Sequence, residues 1–157
     1  MRRSNDSRRL TTAEIAALPP GLVAAVDIAS VELVRRHSWV SHLAMLIGRG
    51  PQIVVRGRRI FWAGLREDVS ADPVALSLLA HELVHIWQYA HGLTLWRYIL
   101  RERGVYRYRP DGRGFTAYGY EQQAAMVEDW VRMSFGLRPR WGEGVDKPAL
   151  EAIVPFL

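Results

Sequence analysis

Residues 81–85 read His-Glu-Leu-Val-His and lie within an apolar segment of helical periodicity. Side chains four positions apart on a helix project only about 40° apart, so the imidazoles of His81 and His85 would face the same way. Two such imidazoles can bind one metal ion, and the intervening Glu82 can act on a water molecule there. The spacing predicts a zinc-dependent hydrolase. The alternative is a helix that carries two structural histidines.

The composition indicates one globular domain. The chain has 157 residues, 49% of them hydrophobic, which suffices for one packed core but not for two. It has no cysteine, so disulfides and cysteine-based zinc sites are excluded. The net charge of +5 comes from scattered arginines and indicates solubility more than an acidic partner. We expect residues 1–10 to form a flexible basic tail and residues 11–157 a single domain.

One long segment of low charge resembles a membrane span by length alone. Between Pro73 and Trp96 the one fully charged side chain is Glu82, and three histidines accompany it. These groups would be costly in hydrocarbon, so we predict a buried helix and no membrane association. No apolar segment follows the arginine-rich start, which predicts a bacterial cytoplasmic location or export without a conventional signal peptide.

Capping and turn residues predict the other elements. Asp72 is a suitable cap for the helix that begins at Pro73, and Gly92 and Gly136 are suitable stops for two helices. The predicted elements are helices over residues 11–18, 73–91, 95–103 and 120–135, a hairpin over residues 51–63, and an irregular segment over residues 139–157. We therefore predict an α+β domain, mostly helical, with a small β-sheet or hairpin beside the metal-binding helix.

A catalytic zinc site usually has three protein ligands and one open position, so a third ligand is required. His91 has the metzincin spacing, but Gln88 stands where that motif needs a glycine. A helix that continues through Gln88 would place His91 about 240° around the axis from His85. His91 is therefore a weak candidate beside the two glutamates of the next predicted helix, Glu121 and Glu128.

Glu121 opens that helix, 36 positions after the second histidine. This matches the gluzincin arrangement, in which a glutamate on a second helix completes the site. Ala124 and Ala125 share its face and would let the two helices approach closely. Glu128 lies two turns along the same stripe, where it would support a histidine unless the register is shifted. Glu121 is favoured, and His91 and Glu128 remain the alternatives.

Two motifs carry a resemblance to a known family. Residues 81–88, HELVHIWQ, and residues 118–124, YGYEQQA, are similar to the motifs of Vgr-related zincin-like domains of proteobacteria. These belong with minimal gluzincin-like domains found near secretion-system and polymorphic-toxin genes. The similarity covers about residues 65–136. It implies a minimal zincin fold, Glu82 as catalytic acid and base, and these ligands of Zn²⁺: His81, His85 and Glu121.

One position departs from the better-known gluzincins. Those often carry an aspartate four positions after the third ligand, where it orients a zinc histidine. This chain has Ala125 there. We therefore expect Gln88, Asp129 or a backbone carbonyl to orient the histidines.

The predicted mechanism needs a donor for the oxyanion and a place for the substrate. Tyr118 and Tyr120, beside the third ligand, are candidate donors, although each could instead be a core aromatic residue. The hairpin could pair with an extended peptide or protein substrate. Its arginines would then favour acidic side chains, or would simply discourage aggregation at the sheet edge. They are Arg56, Arg58 and Arg59.

Two other functions compete with a peptidase. The first is a non-catalytic, zinc-stabilised domain that binds a partner in a secretion or toxin system, although such a site normally has four protein ligands. The second is nucleic-acid binding, because residues 106–109 alternate tyrosine with arginine. Four residues are weak support, so we expect no nucleic-acid partner. The sequence does not predict an oligomeric state.

Overall fold

The computed structural model describes residues 6–38, 53–94 and 104–157 of the chain. The predicted helix over residues 95–103 and residues 1–5 of the predicted tail lie outside these ranges. Within them the protein is a mixed α+β domain, which confirms the predicted fold class.

Five helices account for most of the regular structure described. They are α1 (Thr12–Ala17), α2 (Pro20–Ala25), α3 (Pro73–Ala90), α4 (Tyr120–Ser134) and α5 (Lys147–Glu151). Side chains cap the first turns of α1 and α3, and the cap of α3 is the predicted Asp72. Thr11 and Glu14 form a capping box at α1. The side chain of Asp72 accepts hydrogen bonds from the first turn of α3.

The two long helices end in the same way. At the end of α3 the N–H of Leu93 donates to the carbonyl of Gln88 at 2.9 Å, and Gly92 has a φ of 94°. At the end of α4 the N–H of Leu137 donates to Arg132 at 3.0 Å, and Gly136 has a φ of 75°. This is the Schellman motif, which requires a left-handed residue after the helix. Both predicted glycine stops are confirmed.

In the described residues, four short strands form one sheet. They are β1 (Ser7–Arg8), β2 (Glu32–Val34), β3 (Val54–Arg56) and β4 (Arg59–Phe61), in the order β1-β2-β4-β3. The predicted hairpin is β3 with β4, and Gly57 opens its two-residue turn with a φ of 60°. Strands β2 and β4 run parallel and pair Leu33 with Ile60, both fully buried. The sheet thus turns one apolar face to the core.

Residues 7 and 8, which the sequence analysis assigned to a flexible tail, belong to this sheet. The reason is a buried ion pair between the guanidinium of Arg8 and the carboxylate of Glu14, with N–O distances of 2.8 and 2.7 Å. Glu14 is 0% exposed and also accepts the backbone N–H groups of Thr11 and Val69 at 2.9 and 3.0 Å. The pair therefore joins β1, α1 and the approach to α3.

Helix α3 is the centre of the domain. Leu76, Leu79 and Leu83 are fully buried, and α4 packs along the helix. Strand β3 and helix α2 contact it as well. Ala124 and Ala125 of α4 are 0% exposed, as expected of small residues at a close helix contact. No helix in the described ranges is both long and apolar enough to span a lipid bilayer.

The C-terminal segment packs against the helices. Val154 and Phe156 are buried, and the ring of Phe156 contacts Trp87 of α3 at 5.4 Å between centroids. The segment is not wholly irregular, because it contains α5. The side chain of Asp146 caps that helix by accepting the N–H of Ala149 at 2.9 Å.

Candidate metal centre

Two imidazoles and one carboxylate converge between α3 and α4. The Nε2 atoms of His81 and His85 lie 3.1 and 3.2 Å from the same oxygen, Oε2 of Glu121. One ligand atom from each residue falls within 4.8 Å of the other two, and all three residues are buried. The structure thus brings together the three residues that the sequence analysis proposed as ligands.

The two helices explain this convergence. His81 and His85 are one turn apart in the middle of α3, so their rings lie on one face, with centroids 5.0 Å apart. Glu121 lies in the first turn of α4 and is buried, with 1% of the residue exposed. The alanines that follow it let α4 approach α3 closely enough for that carboxylate to reach both rings.

The donor set fits a divalent metal ion. Ligand atoms at zinc–ligand distances around a tetrahedral ion lie about 3.3 Å apart, close to the separations observed here. Glu82, Glu121 and Glu128 are all buried in the same region. Burial of carboxylates is costly unless a cation balances them, and a bound metal ion would do so. His81, His85 and Glu121 therefore form a group that can hold a metal ion.

Glu128 contacts Nδ1 of His81, the ring nitrogen that does not face Glu121. Its Oε2 lies 3.0 Å from Nδ1 of His81, and it also accepts the indole N–H of Trp141 at 2.9 Å. The other oxygen lies 3.4 Å from the guanidinium of Arg140. With Nδ1–H donated to Glu128, the histidine keeps Nε2 for the metal. Glu128 thus orients a histidine, the role that Ala125 cannot serve.

Gln88 holds His85 in the same way. Its Oε1 lies 2.8 Å from Nδ1 of His85, while its Nε2 donates to the carbonyl of Tyr120 at 2.9 Å. Because the amide nitrogen is engaged as a donor, Oε1 accepts the proton of Nδ1 and Nε2 of His85 faces the centre. The amide of Gln123 also accepts from Gln88, at 3.0 Å. Gln88 therefore fixes both the histidine and the start of α4.

Asp129, another residue considered for this role, has a different one. It accepts the hydroxyl of Tyr108 at 2.9 Å and the backbone N–H groups of Trp141 and Gly142 at 3.1 and 2.8 Å. It therefore anchors the C-terminal segment on α4, which places Trp141 against Glu128.

The charges of the group shift several pKa values. Burial raises the pKa of Glu82, although the nearby histidines oppose this. Burial alone would lower the pKa of His81, but its hydrogen bonds to Glu121 and Glu128 raise it to about 10. Burial would raise the pKa of Glu121, but the hydrogen bonds from His81 and His85 lower it. These carboxylates stabilise a positive charge between them, whether a proton or a metal ion supplies it.

The tyrosine that reaches the centre is Tyr106. Its hydroxyl is hydrogen-bonded to Glu121, and its ring lies 6.0 Å from that of His81. Tyr118, proposed from the sequence as the oxyanion donor, directs its hydroxyl to Asp111 at 3.0 Å and to the carbonyl of Arg109 at 3.4 Å. Tyr118 is therefore close to the third ligand in the sequence, but its hydroxyl contacts other residues.

Tyr120, the other proposed donor, is half-buried at the start of α4, and its carbonyl accepts from Gln88. Sequence reasoning missed Tyr106 because it lies in a loop without periodicity. The available signal was the run of residues 106–109, which was considered only for nucleic-acid binding. In that run Tyr108 is buried, and the guanidinium of Arg109 pairs with Glu143 at 2.9 Å.

Other candidates lie outside the centre. His91 follows the last residue of α3, and its Nδ1 lies 2.7 Å from the carbonyl of Trp87, as expected if the helix continues past Gln88. At the hairpin, Arg58 pairs with Asp27 and Arg59 with Glu32, each at 2.8 Å. These ion pairs reduce the charge that the hairpin could offer to an acidic substrate.

The support of His81 gives a testable prediction. Glu128→Gln should weaken zinc binding about 10- to 100-fold, because a neutral amide is a poorer acceptor for Nδ1–H of His81. Competition with a chromophoric chelator would measure the dissociation constant. Glu151→Gln is a matched control, since Glu151 accepts the indole N–H of Trp130 at 2.9 Å on the surface. Equal affinities of the two variants would contradict the role given to Glu128.

Comparisons with known proteins agree with the fold. No protein-family model matches the sequence, and no curated protein gives a significant match. A solved structure that is similar is the effector domain of VgrG2b from Pseudomonas aeruginosa. The TM-score is 0.61 at 22% sequence identity, and the match covers 92% of this chain and 80% of that chain. At this identity the likeness shows a shared fold.

Proposed function

We propose that this chain is a zinc-dependent metallopeptidase domain that hydrolyses peptide bonds and serves as a Vgr-related effector. The observation that carries the proposal is the convergence of His81 Nε2, His85 Nε2 and Glu121 Oε2 beside a buried Glu82. Two imidazoles and a carboxylate are a donor set of catalytic zinc sites. The fold shared with an effector domain supports the biological setting.

In this mechanism Glu82 moves the proton. A zinc ion in the group would activate a water molecule and polarise the substrate carbonyl. Glu82 accepts the proton of the attacking water as its oxygen bonds to the carbonyl carbon. It then gives that proton to the amide nitrogen as the C–N bond breaks. Burial raises the pKa of Glu82 above that of an exposed carboxyl group, which makes it a stronger base toward the attacking water.

The same group argues against a purely structural zinc. A structural site is normally closed by four protein ligands, whereas the group in the described residues offers three. A structural site also has no use for a buried Glu82. The support of both histidines by Glu128 and Gln88 holds their Nε2 atoms toward one point, which suits a site that must keep its geometry through a reaction.

Metal removal tests the proposal. We expect the purified protein to bind about one zinc per chain and to cleave casein or a peptide library. A chelator should abolish cleavage, and added zinc should restore it. Glu121→Ala should lower the zinc content measured by elemental analysis, because it removes one of three ligands, whereas Glu151→Ala should not. Cleavage that survives complete removal of the metal would refute the proposal.

A further inference from the structure

Tyr106 is held at the centre by contacts on two sides. Its ring stacks on that of Trp141, with centroids 4.7 Å apart and an angle of 23°. On the other side its hydroxyl is hydrogen-bonded to Glu121, and the ring of His81 is 6.0 Å away. A stacked aromatic ring has few alternative orientations, so the position of the hydroxyl is fixed by the fold.

Trp141 is itself fixed independently. Its indole N–H donates to Glu128 at 2.9 Å, and its backbone N–H donates to Asp129 at 3.1 Å. Both acceptors lie on α4, seven and eight positions after Glu121. These contacts therefore fix the position of Tyr106 relative to α4, the helix that supplies the carboxylate of Glu121. A donor fixed before the reaction does not have to reorganise during it.

The proposed reaction needs such a donor. When water adds to a peptide carbonyl, negative charge develops on the carbonyl oxygen, and the buried carboxylates of Glu82, Glu121 and Glu128 would repel it. A hydroxyl donor beside the metal group offsets that repulsion. The hydroxyl of Tyr118 contacts Asp111 and the carbonyl of Arg109, neither of which belongs to the metal group.

We infer that Tyr106 is a catalytic residue whose hydroxyl donates a hydrogen bond to the carbonyl oxygen of the scissile peptide bond. The inference rests on the proposed function. The hydroxyl oxygen stays in place, and only its O–H turns from Glu121 to the substrate oxygen as the new C–O bond forms. Tyr106 keeps its proton throughout, so the proton that reaches the leaving nitrogen is still the one carried by Glu82. When the C–N bond breaks, the carbonyl reforms and the hydrogen bond weakens.

The substitution Tyr106→Phe isolates the hydroxyl, because phenylalanine retains the stack on Trp141. We expect kcat to fall about 10²- to 10³-fold, with KM changed little, since the bond strengthens in the transition state. Zinc content should stay at the wild-type level. Tyr89→Phe is the matched control. That hydroxyl lies 3.4 Å from the carbonyl of Val55, away from the metal group, and its loss should leave kcat unchanged.

A second measurement does not depend on turnover. A phosphinic analogue of the cleaved peptide carries a tetrahedral, charged oxygen in place of the carbonyl. Its affinity for the zinc-loaded Tyr106→Phe protein should fall by about the same factor as kcat/KM. If the hydroxyl of Tyr106 were merely structural, its removal would weaken the binding of substrate and analogue alike, or would lower the zinc content.

The outcomes separate the inference from the proposed function. Wild-type cleavage with an unchanged kcat in Tyr106→Phe would overturn the inference and leave the metallopeptidase intact. Loss of zinc from Tyr106→Phe would overturn it as well, because the hydroxyl would then serve Glu121 alone. A zinc-loaded wild-type protein that neither cleaves a peptide library nor binds a library of phosphinic peptides would refute the proposed function, and the inference with it.

Discussion

Glu82→Gln is expected to bind zinc as wild type does and to lose peptide cleavage by a factor of about 10²–10⁴, the usual contribution of a general acid–base residue. Glutamine is nearly isosteric and can donate and accept hydrogen bonds, but it cannot take a proton from water. Glu82 lies outside the three-residue ligand group, so the metal should remain. Rates of cleavage of a fluorogenic peptide, with zinc content measured on the same samples, would test this.

Two comparisons make the test specific. Glu151→Gln, the same change at the exposed end of the chain's last helix, should leave both the rate and the zinc content unaltered. Glu121→Ala should lose both together. Loss of the rate with the metal retained separates a role of Glu82 in catalysis from a role in metal binding. Cleavage by Glu82→Gln at the wild-type rate would exclude the proposed mechanism, even if zinc binding were established.

Glu14→Gln should have the largest effect on stability, lowering the free energy of unfolding by about 3–5 kcal/mol. Glu14 is fully buried and receives two hydrogen bonds from Arg8, so a neutral amide would leave a guanidinium that is only 12% exposed without its partner. It would also offer an N–H group where Arg8 and two backbone N–H groups now donate. Urea or guanidinium unfolding, with an unchanged m-value, would measure the loss.

Glu32→Gln is the matched control for that prediction. Glu32 also pairs with an arginine, at 2.8 Å from Arg59, but its side chain is 30% exposed and that of Arg59 is 62% exposed. Water already screens this pair, so its loss should change the free energy of unfolding by no more than about 1 kcal/mol. Equal effects of the two substitutions would show that burial does not decide the contribution of the Glu14 pair.

The long helices could be predicted because their signals are local. Asp72 before Pro73 marks a start, Gly92 and Gly136 mark ends, and the spacing within residues 81–85 places two imidazoles on one face whatever surrounds the helix. The hairpin is equally local, since Gly57 supports its turn. All of these features depend on residues within a few positions of one another, where backbone geometry alone determines what is adjacent.

The remaining features depend on contacts between distant segments. The parallel pairing of β2 with β4 joins residues that lie far apart in the sequence, and no local pattern selects that neighbour. Tyr106 reaches Glu121 because Trp141 stacks on it. Glu128 was recognised as a possible support for a histidine, but only the crossing of α3 and α4 shows which histidine it meets. These contacts depend on tertiary packing, which leaves no periodic pattern in the sequence.

The centre draws all its donors from two helices and their supports from the same helices and one anchored segment. Its ion-binding geometry is therefore built into the framework of the domain, independent of the hairpin and of the surface loops. The hairpin is therefore free to diverge without disturbing the geometry of His81, His85 and Glu121. Under the proposed function, domains with this framework would acquire different targets through changes in the hairpin, while the metal ligands and their supports stay the same.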